Sequence, residues 1–287
     1  MLSRLFVLLQ YLLPKYLLNS LVYRVARIRQ PALKNALIRG FLQLYDVNLD
    51  EVRLNVPDDF ATFNDFFIRE LDTAARTVDP NPLSIASPVD GTLSQAGFMR
   101  GRNLVQAKGI DYTLDDLLAT DLDNARAFDG GAFATIYLAP YNYHRVHAPL
   151  DGTLVAAHYV PGDLFSVNNA TATHVPGLFS RNERLNLHFT TAHGPVALIF
   201  VGALNVGSIS TPWTGEIRPR RSGVVESLDL SASACDIRKG DLLGWFNMGS
   251  TVIVLLPKDT GTWLDTLNPG VTTKMGEAIG MLSPASS

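Results

Sequence analysis

The chain has one cysteine, Cys235, among 287 residues, so no intramolecular disulfide can staple it. That fits a reducing compartment. No apolar run approaches the roughly 18 residues of a membrane-spanning helix. The apolar stretch 5–13 is not followed by a small-x-small cleavage site, so it is not read as a secretory signal. There is no H-E-x-x-H and no cysteine pair. His144 and His147 form an H-x-x-H, but positions i and i+3 of a strand face opposite ways, so no metal site is expected. The G-x-S-x-G elbow of hydrolases is missing as well. Finally, the first 45 residues contain no acid. They carry Arg4, Lys15, Arg24, Arg27, Arg29, Lys34 and Arg39. With a net charge of −3 overall, the remaining residues carry −10.

What is present begins with that acid-free segment. Leu2, Leu5, Phe6, Leu9, Leu12 and Leu13 recur at helical spacing until Pro14 interrupts them. Leu17, Leu18, Leu21 and Val22 form a second set. Pro31 opens a third helix, where its missing N–H costs nothing. The stripe of that helix is Leu33, Leu37, Ile38, Phe41 and Leu44, with Lys34 and Arg39 beside it. Basic, amphipathic helices suit the interface of an anionic bilayer.

The composition, 47% hydrophobic, is enough for a full core. Residues 59–71 read as a short helix, although Thr62 and Asp65 can form a capping box that starts it later. After Pro80 and Pro82 the pattern changes to short strands with Gly and Pro turns. Thr113-Leu114-Asp115-Asp116 is a capped helix start within them. Ser87-Pro88-Val89-Asp90-Gly91-Thr92-Leu93 is echoed by Ala148-Pro149-Leu150-Asp151-Gly152-Thr153-Leu154, each an Asp-Gly turn leading into a strand. The expected fold is α+β. Amphipathic helices span 1–47, a helical connector 48–81, and a β-rich sandwich or barrel-like catalytic core 82–287.

Chemistry concentrates near the end, in Gly249-Ser250-Thr251 at the head of an apolar strand. A serine hydroxyl needs a base, and imidazole suits that work. A carboxylate can hold the imidazole in the right tautomer. The residues offer Asp90 or Asp151, His144 or His147, and Ser250. The glycine directly before Ser250 leaves its own carbonyl open, so the hydroxyl can attack Gly249 and convert the amide to an ester. Held geometry favours such attack strongly.

Several longer segments resemble the bacterial phosphatidylserine decarboxylases, which are pyruvoyl-dependent. They are Leu-Gln-Tyr-Leu-Leu-Pro-Lys at 9–15, Thr-Phe-Asn-Asp-Phe-Phe at 62–67, Pro-Val-Asp-Gly at 88–91 and Gln-Ala-Lys-Gly at 106–109. Further on come Tyr-His-Arg-Val-His at 143–147, Val-Pro-Gly-Asp-Leu-Phe-Ser-Val-Asn at 160–168, Leu-Phe-Ser-Arg-Asn-Glu-Arg at 178–184 and Gly-Ser-Thr at 249–251. Met248 stands where the family usually has leucine, a change that nearly conserves volume.

The resemblance implies self-cleavage between Gly249 and Ser250 and conversion of Ser250 to a pyruvoyl group. Asp90 and His147 would form the charge-relay pair for that step, leaving Asp151 as a turn residue. His144 would act in decarboxylation of phosphatidylserine to phosphatidylethanolamine through a Schiff base. Phe165, Ser166 and Asn168 resemble the family's pocket-lining stretch. The implied partners are phosphatidylserine in an anionic membrane, the two cleaved chains for each other, and a second copy as homodimer. No nucleic acid is expected. The implied location is peripheral, on the cytoplasmic side of the inner membrane. A membrane-associated Ser-His-Asp hydrolase and a non-enzymatic membrane-tethered β module are the rival readings.

Overall fold

A computed structural model describes residues 2–107, 109–120, 125–205, 207–220, 223–230 and 235–284. Met1, Lys108 of the Gln-Ala-Lys-Gly motif and the last three residues lie outside the described residues.

Three helices open the chain: α1 (Leu2–Leu12), α2 (Lys15–Ala26) and α3 (Pro31–Leu44). Pro14 separates the first two, and the chain bends by 91° there. Pro31 takes the first position of α3, and the Gln30 side chain accepts the Leu33 N–H at 2.6 Å. No single described helix is long and apolar enough to cross a membrane. Lys34 is not on a solvated basic face. It is buried, and its ammonium donates to the carbonyls of Pro57, Asp58 and Phe60. Those acceptors replace the water it gives up.

The helix expected over 59–71 is shorter, α4 (Phe63–Phe67). Thr62 caps it by accepting the Asp65 N–H at 3.1 Å and donating to the Asp65 carboxylate at 2.9 Å. The cap excludes residues 59–61 from the helix, and Phe60 packs into the core from the loop before it. The rest of 48–81 is turns and irregular chain.

The α+β class holds. The β part is built on a nine-stranded antiparallel sheet, and the described strands form no closed barrel. At its centre lies Ser250–Leu256, paired with Gly194–Val201 on one side and Ala132–Leu138 on the other. All seven of its residues are buried, as a β-branched run in a central strand must be. The two Asp-Gly turns open the strands Gly91–Phe98 and Gly152–Val160, which lie towards opposite edges of this sheet. A four-stranded sheet holds Arg145–His147 beside Leu242–Phe246.

Buried apolar side chains form two clusters. The larger fills the β part. The smaller joins Ala26, Ile38 and the phenylalanines of α4, with Met248 packed against it. Gly249-Ser250 therefore lies where the helical cluster meets the sheet.

Candidate active site

Ser250 is the first residue of the central strand and is fully buried. Its hydroxyl has no hydrogen-bond partner among the described residues. The chain reaches it from the Leu242–Phe246 strand, where the Phe246 N–H donates to the His144 carbonyl at 3.1 Å. That pairing carries residue 249 past the His144 ring. Nε2 of His144 lies 3.8 Å from where a Cβ on Gly249 would stand.

His144 is buried, and Phe67 packs on it with ring centroids 4.1 Å apart. Nδ1 lies 2.8 Å from the Asn142 carbonyl. A carbonyl only accepts, so Nδ1 carries the proton and Nε2 presents a lone pair. Nε2, like the Ser250 hydroxyl, has no partner among the described residues. Burial pushes the His144 pKa down to about 3, and the charge of Arg69 adds to the shift. The ring is a neutral base aimed at the 249–250 region.

His147 is held differently. Its Nδ1–H donates to the Gly240 carbonyl at 2.8 Å, and the Tyr143 hydroxyl donates to Nε2 at 3.0 Å. Burial lowers its pKa as well. Asp90 is buried next to it in chain space, because the His147 N–H donates to the Pro88 carbonyl. Yet the Asp90 carboxylate is bound by both Nε and Nη2 of Arg76 and by the Met275 N–H. The structure thus does not join Asp90, His147 and Ser250 in one hydrogen-bonded chain. Arg76 holds the carboxylate, and Tyr143 holds the imidazole nitrogen that would face serine. Asp151 is exposed and accepts the Lys239 N–H, a turn role.

A cleft of about 530 Å³ opens on Gly249 and Ser250. Ser166 and Asn168 line it, together with Tyr45, Tyr137 and Asn205. Phe165 does not line it. Its ring is fully buried and faces α1 and α2, 4.9 Å from the Tyr11 ring and under the Lys15 ammonium.

Four further residues brace the site. Asn64 of α4 donates to the Asn247 carbonyl at 2.8 Å. Arg145 donates to the Ile68 carbonyl at 2.9 Å, and Arg69 to the Tyr141 carbonyl at 2.9 Å. Tyr143 orients His147. The Tyr-x-x-x-His spacing of 143 and 147 was the one sequence signal for any of these contacts. The others join segments far apart in the chain.

The profile of the phosphatidylserine decarboxylase family matches residues 63–281, and a second profile, described as PSD, matches residues 5–46. Named relatives agree. The phosphatidylserine decarboxylase proenzyme of Methylococcus capsulatus is 47% identical over 277 residues, covering 96% of each chain. That of Marinobacter nauticus is 43% identical over 284 residues, covering 99% of each. That of Alcanivorax borkumensis is 44% identical over 279 residues, covering 97% of this chain and 96% of the relative. The chain belongs to the phosphatidylserine decarboxylase family.

Proposed function

We propose that this chain cuts itself between Gly249 and Ser250, converts Ser250 to a pyruvoyl group, and decarboxylates phosphatidylserine to phosphatidylethanolamine. One observation carries the reading. Two buried polar atoms have no hydrogen-bond partner among the described residues and lie at Gly249: Ser250 Oγ, on the next residue, and His144 Nε2, 3.8 Å from where a Cβ on Gly249 would stand. A buried polar atom left unpaired is costly, and a reaction is a reason to keep one. The orphaned hydroxyl at a strand head fits a residue meant to be converted.

The cleavage chemistry uses only the chain and one water. A base takes the Ser250 hydroxyl proton, and the oxygen attacks the Gly249 carbonyl, leaving an ester and a free amine. Loss of the Ser250 α-proton expels the Gly249 carboxylate. The dehydroalanine left at 250 tautomerises, and water replaces its nitrogen, which leaves as ammonia. The pyruvoyl group then supplies a ketone for the substrate amine and an electron sink for the carbon that loses carbon dioxide.

We assign Asp90 and His147 to cleavage and His144 to turnover. For its part His147 must exchange Tyr143 for Ser250. His144 Nε2 takes the proton from the substrate ammonium and returns it to carbon after carbon dioxide departs. Ser166 and Asn168 face the headgroup from the cleft wall.

The acid-free helices support action at an anionic bilayer, on the cytoplasmic side of the inner membrane. Leu8, Leu12, Leu17 and Leu44 are exposed, with Arg24, Arg29 and Arg39 exposed among them. A homodimer completes the proposal.

Intact mass under denaturing conditions tests the reading. The expected result is two species, residues 1–249 and residues 250–287, the latter lighter by one ammonia than simple hydrolysis gives. A single uncut mass that persists with anionic vesicles overturns it.

A further inference from the structure

A second space of about 500 Å³ adjoins the cleft at Ser250. Thr92, Ser94, Gln95, Gln106, Asn169 and Thr173 face it, and no residue of α1 to α4 does. Tyr137 and Val167 wall both spaces, so the two meet across these side chains. Among the described residues that line the second space, none is charged. Hydroxyls and amides suit small neutral molecules that hydrogen-bond, water first. One wall is firmly set. The buried Gln106 amide donates to the carbonyls of Ala172 and Val175 at 2.7 and 2.8 Å, and its oxygen accepts the Leu178 N–H at 2.7 Å. The glutamine of the Gln-Ala-Lys-Gly motif thus shapes this space and not the cleft.

The sheet supplies a second observation. Thr92, Tyr137 and Thr251 are paired directly across three neighbouring strands, Gly91–Phe98, Ala132–Leu138 and Ser250–Leu256. Residues paired in this way share one face of the sheet. A row of three hydroxyls therefore crosses from the second space to the residue after Ser250. The last of them, Thr251 Oγ1, is buried and has no hydrogen-bond partner among the described residues. Such a hydroxyl is costly to keep unless a small polar molecule can reach it.

Ser250 is fully buried, yet its conversion consumes water and releases ammonia, and turnover releases carbon dioxide. With a headgroup in the cleft and a bilayer against the helices, that side gives these molecules no aqueous path. Resting on the self-cleavage and decarboxylase reading, we propose that the space beside Gly91–Phe98 is the aqueous port of the active site. Water enters through it, and ammonia and carbon dioxide leave through it past Tyr137, while the lipid stays on the helix side.

Ser94→Trp and Thr173→Trp, made in the full-length processed protein, narrow the port from two walls, and neither residue lines the cleft. Each protein, bound to anionic vesicles, is moved into heavy-oxygen water and quenched with borohydride. Reduction locks the ketone oxygen at position 250 as a hydroxyl. The mass of the 250–287 chain then reports exchange with bulk water and needs no turnover. The expected result is exchange slowed about tenfold or more in both variants, with kcat lowered and KM within about twofold of the parent. Ser94→Ala removes the hydroxyl without narrowing the port and is expected to exchange at the parental rate.

Exchange unchanged in the tryptophan variants overturns the proposal. So does equal slowing in Ser94→Ala, since Ser94 would then act by its hydroxyl and not by leaving a passage. A raised KM with exchange unchanged also overturns it, because the space would then hold part of the substrate. Thr251→Val adds no bulk and is expected to slow exchange with Tm unchanged or raised, since the hydroxyl it removes is unpaired. Should neither tryptophan variant fold, that variant decides. If the parent protein holds no reducible ketone, the pyruvoyl reading itself fails and the port falls with it.

Discussion

The side-chain oxygen of Gln10 accepts the Ser166 N–H at 2.8 Å, and its amide donates to the Thr171 hydroxyl at 3.2 Å. A buried glutamine on α1 thus holds a wall of the cleft that opens on Ser250. Lys15 and Tyr16 add contacts to Asp163 and to the Gly162 carbonyl. The helices that face outward are latched to the segment that faces the substrate.

Gln10→Ala removes both buried bonds and leaves the Ser166 N–H unpaired. The expected cost is about 1–3 kcal/mol. Denaturant unfolding reads it as a lower midpoint at constant slope, with KM raised more than kcat is lowered. An unchanged midpoint would show that the latch contributes nothing.

Gly249 does not occupy the left-handed region, and a Cβ there makes only ordinary contacts, at 3.8 Å. The fold does not require glycine at this position. Gly249→Ala is expected to unfold within about 0.5 kcal/mol of the parent. Its self-cleavage should slow at least tenfold, because the added methyl group crowds the approach of the Ser250 hydroxyl to the carbonyl under attack. Gel electrophoresis over time measures this. Normal cleavage would mean that glycine is dispensable there.

Substitution separates the two histidines. His147→Ala is expected to block cleavage, and His144→Ala to leave cleavage intact while abolishing decarboxylation. Should His144→Ala remain uncut, His144 is the base of both steps. Tyr143→Phe frees His147 Nε2 and is expected to speed cleavage if the tyrosine restrains the ring.

Stability should depend on pH through Glu183. This carboxyl is buried, accepts the Tyr159 hydroxyl at 2.9 Å, and has its pKa raised to about 8 by burial. The folded chain keeps a proton there that the unfolded chain releases above the ordinary value of 4.5. Between those values the folded state binds more protons, so its stability falls as pH rises, by up to about 1.4 kcal/mol per pH unit. Glu183→Gln, neutral at every pH, should flatten that slope in urea titrations from pH 5 to 8. His144 acts in the opposite sense. Its lowered pKa makes stability fall as pH drops from about 6.5 towards 3.

Leu8, Leu12 and Leu17 are 62%, 82% and 67% exposed and add little to the core. Replacing all three with serine should abolish flotation with anionic vesicles and leave Tm within about 2 °C of the parent. Retained flotation would count against an interfacial role for α1 and α2.

Much of this was legible in the residues. Pro14 and Pro31 punctuate the helices because proline lacks a donor, a local effect. Ser250 heads a strand that its apolar run announces. The length of α4 was misjudged because Phe60 packs as a helix residue would while lying outside the cap. Lys34 looked like surface charge, since three distant carbonyls that receive it leave no local trace. Arg76 lies only fourteen residues before Asp90, yet nothing in that spacing marks it as the partner. Phe165 and Ser166 read as one lining in the sequence, but Phe165 packs against Tyr11 and Lys15 of the helices while Ser166 lines the cleft, a division set by contacts with distant α1 and α2.

The position of Ser250–Leu256 at the centre of the sheet constrains the order of events in the life of the molecule. Ala278–Leu282 pairs with Ser84–Ala86, and Thr272–Thr273 with Gly91–Phe98, so residues 250–287 are knitted into the rest at several places. Before cutting, folding is a first-order event of one chain. After cutting, the same native contacts join two molecules, and unfolding becomes a dissociation whose reversal depends on concentration. Dilution would punish a cut made too early. The cut molecule carries a history: heated and cooled in dilute solution, it should fail to recover where its uncut parent succeeds.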